Sequence, residues 1–250
     1  MLRFLRRRAA LAPLESLMRT LKILGFLLTY PTQDHLTVVG ECSLFLKSEG
    51  WLSSASLKKM DAVFADFHSK DLLDLQEEYV ALFDRTPSLS LHLFEHIHGD
   101  SRDRGQALAD LLRVYEEAGL FINTTETPDY LPLFAEYVST LGHVEASQTL
   151  GSVVNILSSL AERLRNRGSF YAHIMDAMAE TASRSPDPEA VKAYLIQSAG
   201  NALTAQEIDR EWEEQFAFEN TAQTTGQESG CPKAEEMLAR INNYKDDERV

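Results

Sequence analysis

The chain has 250 residues, 44% of them hydrophobic and 25% charged, and its 38 Asp and Glu against 24 Lys and Arg give a formal net charge of −14. That length buries a sizeable core in one large domain or two small ones, while so acidic a surface repels phosphate backbones, argues against a nucleic-acid partner and would attract a basic peptide. The two cysteines, Cys42 and Cys231, form no CxxC unit, which argues against a disulfide framework or cysteine zinc site and fits a reducing cytoplasm.

Residues 1–17 carry four arginines and one glutamate. Glu15 interrupts their apolar run, which is too short to span a bilayer and poor as a secretory signal. They read as a disordered basic arm, or as sequence upstream of a start at Met18. Residues 14–30 form an apolar helix stopped by Pro31, which has no amide to continue the ladder. A second helix runs from Gln33 to about Ser48 and ends near Gly50. Ser53 or Ser54 caps a third, which runs to about His68 with Leu57, Met60, Val63, Phe64 and Phe67 at helical spacing. Asp71 caps a fourth, in which Leu72, Leu75, Tyr79, Leu82 and Phe83 make one stripe.

After a loop over 85–88, Leu89 to His98 reads as a short helix closed by Gly99. Asp100 or Ser101 starts the next helix, with Ala107, Leu108, Leu111, Leu112 and Tyr115 on its core face and Gly119 as its stop. Residues 120–128 read as a connecting loop. A helix after Pro128 carries Tyr130, Leu131, Phe134, Tyr137 and Val138. A long helix then runs from about Glu145 to Asn166, with Leu150, Val153, Val154, Leu157, Leu160, Ala161 and Leu164 on one side. Further helices are expected near 169–183, 188–199 and 204–217. Residues 220–230 read as a polar linker, within a flexible acidic tail over 219–250. Helix after helix with short loops implies one all-α bundle spanning about 18–218.

The stretch HLFEHIH (92–98) gathers three of the chain's seven histidines. His92, Glu95 and His96 match the H-x-x-E-H pattern of a zinc hydrolase, in which both imidazoles share one helical face and the carboxylate is the base. The simpler reading is that His96 and His98 satisfy backbone groups and the dipole at a helix end. In the run that follows, Asp100, Ser101 and Asp103 suit a helix start. Arg102 and Arg104 oppose the dipole there, so they are expected to pair with nearby carboxylates.

The stretch LQEEYVALFDRTPSLSLHLFEHIHGDSRDRGQAL, followed by PDYLPLFAEYVSTL, closely resembles the NarJ family. These are the delta subunits of respiratory nitrate reductase, better described as molybdenum-cofactor assembly chaperones. The resemblance runs from about Leu24 to Trp212. It is most specific at Tyr79–Phe83, Phe94–Gly105 and Pro128–Tyr137. The family pattern is L-F-E-H-V-H-G-E-S-R-D-R-G-Q. It leaves His92 outside, which lowers the zinc reading.

The resemblance implies an all-helical fold shared with chaperones of twin-arginine-targeted redox enzymes. It implies a cytoplasmic, non-enzymatic protein without a cofactor of its own. Its partner would be the N-terminal segment of the apo catalytic subunit, held open for molybdenum-cofactor insertion and released before docking on the membrane subunit. A permanent helical scaffold subunit is the remaining alternative, and a monomer or a helix-exchanged dimer would fit. Related chaperones carry an E-P-x-D-H type signature. Here the stretch reads Glu126-Thr127-Pro128-Asp129-Tyr130, with tyrosine where histidine is common. An amphipathic client helix would seek an apolar groove with a polar rim. Tyr30, Tyr79, Phe83, Phe94, Tyr130 and Phe134 are the candidate walls, and Asp129 and Glu95 are the candidate partners for basic client residues. His96, His98, Arg102, Arg104 and Pro128 complete the expected client-binding set.

Overall fold

The computed structural model describes residues 4–7, 19–99 and 101–200. The chain divides into two compact units, 1–202 and 203–250, and all described residues belong to the first. The expected helix at 204–217, the linker at 220–230, the acidic tail, Met18 and the cap at Asp100 lie outside the described residues.

Ten α-helices are described: α1 (Arg19–Leu27), α2 (Gln33–Glu49), α3 (Ser54–Ser69), α4 (Leu72–Tyr79), α5 (Leu93–His98), α6 (Asp103–Glu117), α7 (Leu131–Val138), α8 (His143–Asn166), α9 (Tyr171–Glu180) and α10 (Pro188–Gly200). Two three-residue strands, β1 (Leu5–Arg7) and β2 (Leu120–Ile122), form the one sheet among the described residues. The all-α reading holds, with that ribbon added to it.

Helix α8 is the backbone of the bundle. Its seven predicted apolar positions, from Leu150 to Leu164, are all buried, and α9 and α10 pack along it. Each such leucine contributes roughly 1.5–3 kcal/mol by leaving water. Helix α7 is buried on every side, so even its Glu136 must be partnered inside. The Lys22 ammonium lies 2.8 Å from one Glu136 oxygen, and the Phe4 amide donates to the other at 2.7 Å. Helix α1 crosses α7 at Gly25, where an added Cβ would sit 2.9 Å from that of Ala135. The Ser53 hydroxyl accepts from the Ser56 amide and caps α3. Gly50, at φ 69°, closes α2 in the left-handed conformation that glycine adopts without strain.

Four expectations change. Residues 1–17 are not uniformly an arm, because Leu5–Arg7 pairs antiparallel with Leu120–Ile122 and Leu5 is buried. For the same reason 120–122 is a strand rather than loop. Residues 89–98 are not one helix: Pro87–Leu89 is a 3-10 turn, His92 is extended, and α5 begins only at Leu93. On α6, Tyr115 alone is fully buried, whereas Ala107, Leu108, Leu111 and Leu112 are half-buried. This helix lies at the edge of the bundle and presents a narrow seam to it.

Candidate functional site

After Tyr79 the α4 ladder widens into a π-helical turn over Val80–Asp84. Such a turn holds one more residue than an α-turn and marks functional sites more often than chance. It directs Phe83 and Asp84 into a cleft of about 290 Å³ whose other walls are Tyr30, Tyr79, Leu91, His92, Glu126 and Tyr130. The aromatic faces interlock. The Tyr30 and Tyr79 rings meet edge-to-face at 5.6 Å, Tyr79 and Phe83 lie 4.9 Å apart, and His92 and Tyr130 lie 5.4 Å apart. The Tyr79 hydroxyl donates to the Leu28 carbonyl at 3.1 Å and sits 3.3 Å from the Tyr130 hydroxyl. Burial raises both phenols, that of Tyr130 to about 12. Both therefore stay neutral donors at physiological pH.

The opposite wall is held by one antiparallel bridge, His92 to Tyr130. In it the Leu131 amide donates to the Leu91 carbonyl at 2.8 Å and the Leu93 amide to the Asp129 carbonyl at 3.0 Å. The Asp129 side chain, fully buried, accepts from the Phe94 amide at 3.0 Å and the Thr127 hydroxyl at 2.5 Å. His92 Nδ1 lies 2.9 Å from the Thr127 oxygen and 3.5 Å from Asp129. Burial alone would raise the Asp129 carboxyl, but the donors from His92, Thr127 and Phe94 outweigh it and hold it below its ordinary value. Reciprocally, the Asp129 carboxylate holds the His92 imidazole above its ordinary value against the opposing effect of burial. The Pro128 carbonyl accepts from the buried Tyr115 hydroxyl at 2.8 Å, which fixes the loop before α7 to α6.

The cleft thus brings together Tyr30, Tyr79, Phe83 and Tyr130 of the expected walls. Phe134 is instead buried in the α7 core, and Phe94 is half-buried beside the His98 ring at 5.8 Å. Asp129 is not a rim charge, since its carboxylate is fully buried and already accepts from the Phe94 amide and the Thr127 hydroxyl. Glu95 pairs within the chain, 2.9 Å from Arg104. That ion pair is the one expected for Arg104, while Arg102 is exposed. The carboxylates at the cleft are Asp84, which the stripe reading passed over, and Glu126, which the signature stretch contains but which was given no client-binding role. For Asp84 the available signal was its place directly after the aromatic stripe, and for Glu126 its place at the head of the signature stretch.

His92, Glu95 and His96 do not converge. The His96 Nε2–H donates to the Ser90 carbonyl at 2.8 Å from a buried position, and burial lowers its proton affinity. Glu95 faces Arg104 and His92 faces Thr127. No cluster of three or more metal-ligating side chains occurs among the described residues. A larger cavity, about 420 Å³, lies where α8, α9 and α10 meet. Its Arg165 is already bound to Asp176 and Glu162, and it lies apart from the 79–105 and 126–134 motifs. The smaller aromatic cleft is therefore the better candidate.

Comparison with known proteins decides the lineage. The family model for the nitrate reductase delta subunit matches residues 52–175. The nitrate reductase molybdenum cofactor assembly chaperone NarJ of Escherichia coli K12 is 41% identical over 172 residues, covering 67% of this chain and 72% of its own length. This chain belongs to the nitrate reductase delta subunit family. NarW of the same strain, described as a probable chaperone of that kind, is 37% identical over 203 residues, covering 79% of this chain and 82% of itself. A NarJ of Bacillus subtilis, named in the same terms, is 26% identical over 159 residues, covering 64% of this chain and 85% of itself. These three relatives are each named as a nitrate reductase molybdenum cofactor assembly chaperone, two of them as probable ones. No described helix is long and apolar enough to cross a membrane.

Proposed function

We propose that this chain is an assembly chaperone of respiratory nitrate reductase. It binds the N-terminal segment of the apo catalytic subunit, keeps that subunit open while the molybdenum cofactor is inserted, and leaves before the subunit docks on its membrane partner. The observation that carries this reading is the cleft between the π turn and the Glu126–Tyr130 loop. It has aromatic walls for an apolar side chain and two carboxylates for a basic one, and three of its eight lining residues, Tyr79, Phe83 and Tyr130, come from stretches that resemble the family most specifically. Membership of a family whose relatives are named as assembly chaperones supports it. The net charge of −14 supports a basic ligand through long-range attraction. Ordering a peptide on binding offsets part of the contact gain, so affinity is moderate and release is possible.

The test is calorimetric titration with a synthetic peptide of the catalytic subunit's N-terminus. Saturable binding that weakens as salt rises is expected. Replacing Glu126 by Gln should weaken it up to roughly fivefold, the worth of one rim charge pair. Absence of heat at high peptide concentration would sink the reading.

A further inference from the structure

Strand β1 is made by the chain's own N-terminal segment, and it is the only strand partner of β2 among the described residues. Its register is Leu5 opposite Ile122, Arg6 opposite Phe121 and Arg7 opposite Leu120, and the Asn123 amide donates to the Phe4 carbonyl at 2.7 Å. Leu5 is buried in the bundle core. The Phe4 ring stands edge-on to Tyr130 at 5.9 Å, the same tyrosine that walls the aromatic cleft. The Phe4 amide donates at 2.7 Å to the buried Glu136 carboxylate, whose other oxygen takes Lys22. A backbone amide is thus received at one end of the strip by a buried charge, and a sheet edge receives the rest.

We infer that the β2 edge, with Glu136 and Tyr130, is an exchangeable docking strip for an extended apolar-then-basic peptide. The chain's own Phe4–Arg7 segment occupies it as a stand-in ligand. The client's leading residues take its place, adding to β2 as a strand while the neighbouring side chains fill the cleft. This rests on the chaperone reading above and extends it. Three features support the occupant. Strand addition satisfies main-chain groups whatever the sequence, with specificity left to alternate side chains. The seated segment F-L-R-R shows the chemistry the strip accepts. Tyr130 makes strip and cleft one continuous surface. A three-residue strand also has few ladder bonds to break, which favours its exchange.

The experiment uses the full chain, with hydrogen exchange read at 4–7 and 120–123 before and after saturation with the catalytic-subunit peptide, saturation being set by calorimetry. Residues 4–7 should lose protection on binding while Leu120–Asn123 keep theirs. The double substitution Phe4→Ala, Leu5→Ser should tighten client binding roughly tenfold, if the parent holds the strip closed about nine-tenths of the time. A synthetic peptide of residues 1–8 added to that variant should compete with the client. Persistent protection at 4–7 in the saturated parent, with unchanged affinity in the variant, would overturn the strip while leaving the chaperone reading intact. Mass doubling by light scattering, with 4–7 protected only in the doubled species, would overturn the client as occupant in favour of a second copy. Absence of client binding altogether overturns the chaperone reading and this inference with it.

Discussion

Helix α8 runs for 24 residues without interruption, whereas the segment 79–99 passes through a π turn, a 3-10 turn, an extended bridge and a short helix. The first is stabilised mainly by a continuous apolar stripe, with Ser147, Asn155 and Arg163 tying it to neighbouring segments. The second is stabilised by particular hydrogen bonds: Asp129 to Phe94 and Thr127, His96 to Ser90, Tyr79 to Leu28. Irregular backbone leaves donors and acceptors that regular ladders would consume, and side chains must then satisfy them. The same irregularity opens the aromatic cleft. The scaffold is thus chiefly the apolar part, and the proposed recognition surface is chiefly the hydrogen-bonded part.

This contrast breaks most visibly at the scaffold. Replacing Leu157 by Ala in α8, where it is fully buried, should cost about 2–5 kcal/mol in urea unfolding, with client affinity per folded molecule unchanged. Gly25→Ala forces a Cβ against Ala135 and should cost about 1–3 kcal/mol by overpacking the α1–α7 crossing. Asp129→Ala removes the acceptor of the Phe94 amide and the Thr127 hydroxyl and leaves that amide buried without it. About 1–3 kcal/mol is expected in the same assay, and here client affinity should fall as well, because the bridge that carries Tyr130 is loosened.

The pH dependence sharpens the comparison further. His92 is held above its ordinary value of 6.5 by Asp129, so its contribution is complete below pH 6.5 and fades as the pH rises through the higher folded-state value. His35 and His96 act in the opposite sense. Burial lowers both, so their contribution is complete above pH 6.5 and is lost as the pH falls through the lowered values. The deficit of His92→Gln against the parent should therefore be largest below pH 6.5 and shrink in alkaline buffer. Since His92 is partly exposed, that deficit should not exceed about 1 kcal/mol in thermal or urea unfolding. Tyr30→Ala is the smallest change in stability, within about 0.5 kcal/mol because the ring is exposed at 44%. Its effect should appear in peptide binding instead.

The scaffold was legible in the sequence because its signals are local. The span of α2, the Ser53 cap and the seven buried positions of α8 all follow from spacing and capping chemistry within a few turns. The departures have non-local causes. The β1–β2 ribbon joins residues more than 110 positions apart, and the His92–Tyr130 bridge joins residues 38 apart; no window of one element reveals either. The π turn escaped because Tyr79 and Phe83 are four residues apart, as an α-helical stripe would also place them. Asp129 was recognised as important, but its position under the surface could not be read from a motif. Its part is to hold the loop, and the exposed charge nearby is Glu126.

One surplus residue between Val80 and Asp84 has a wider consequence. Deleting it would restore an α-turn and swing the side chains on one side of it by about 100° relative to those on the other. Tyr79 could then keep its bond to Leu28 or Phe83 could keep its aim, but not both. Such a shortened protein would gain a more regular helix and lose the present shape of the aromatic cleft.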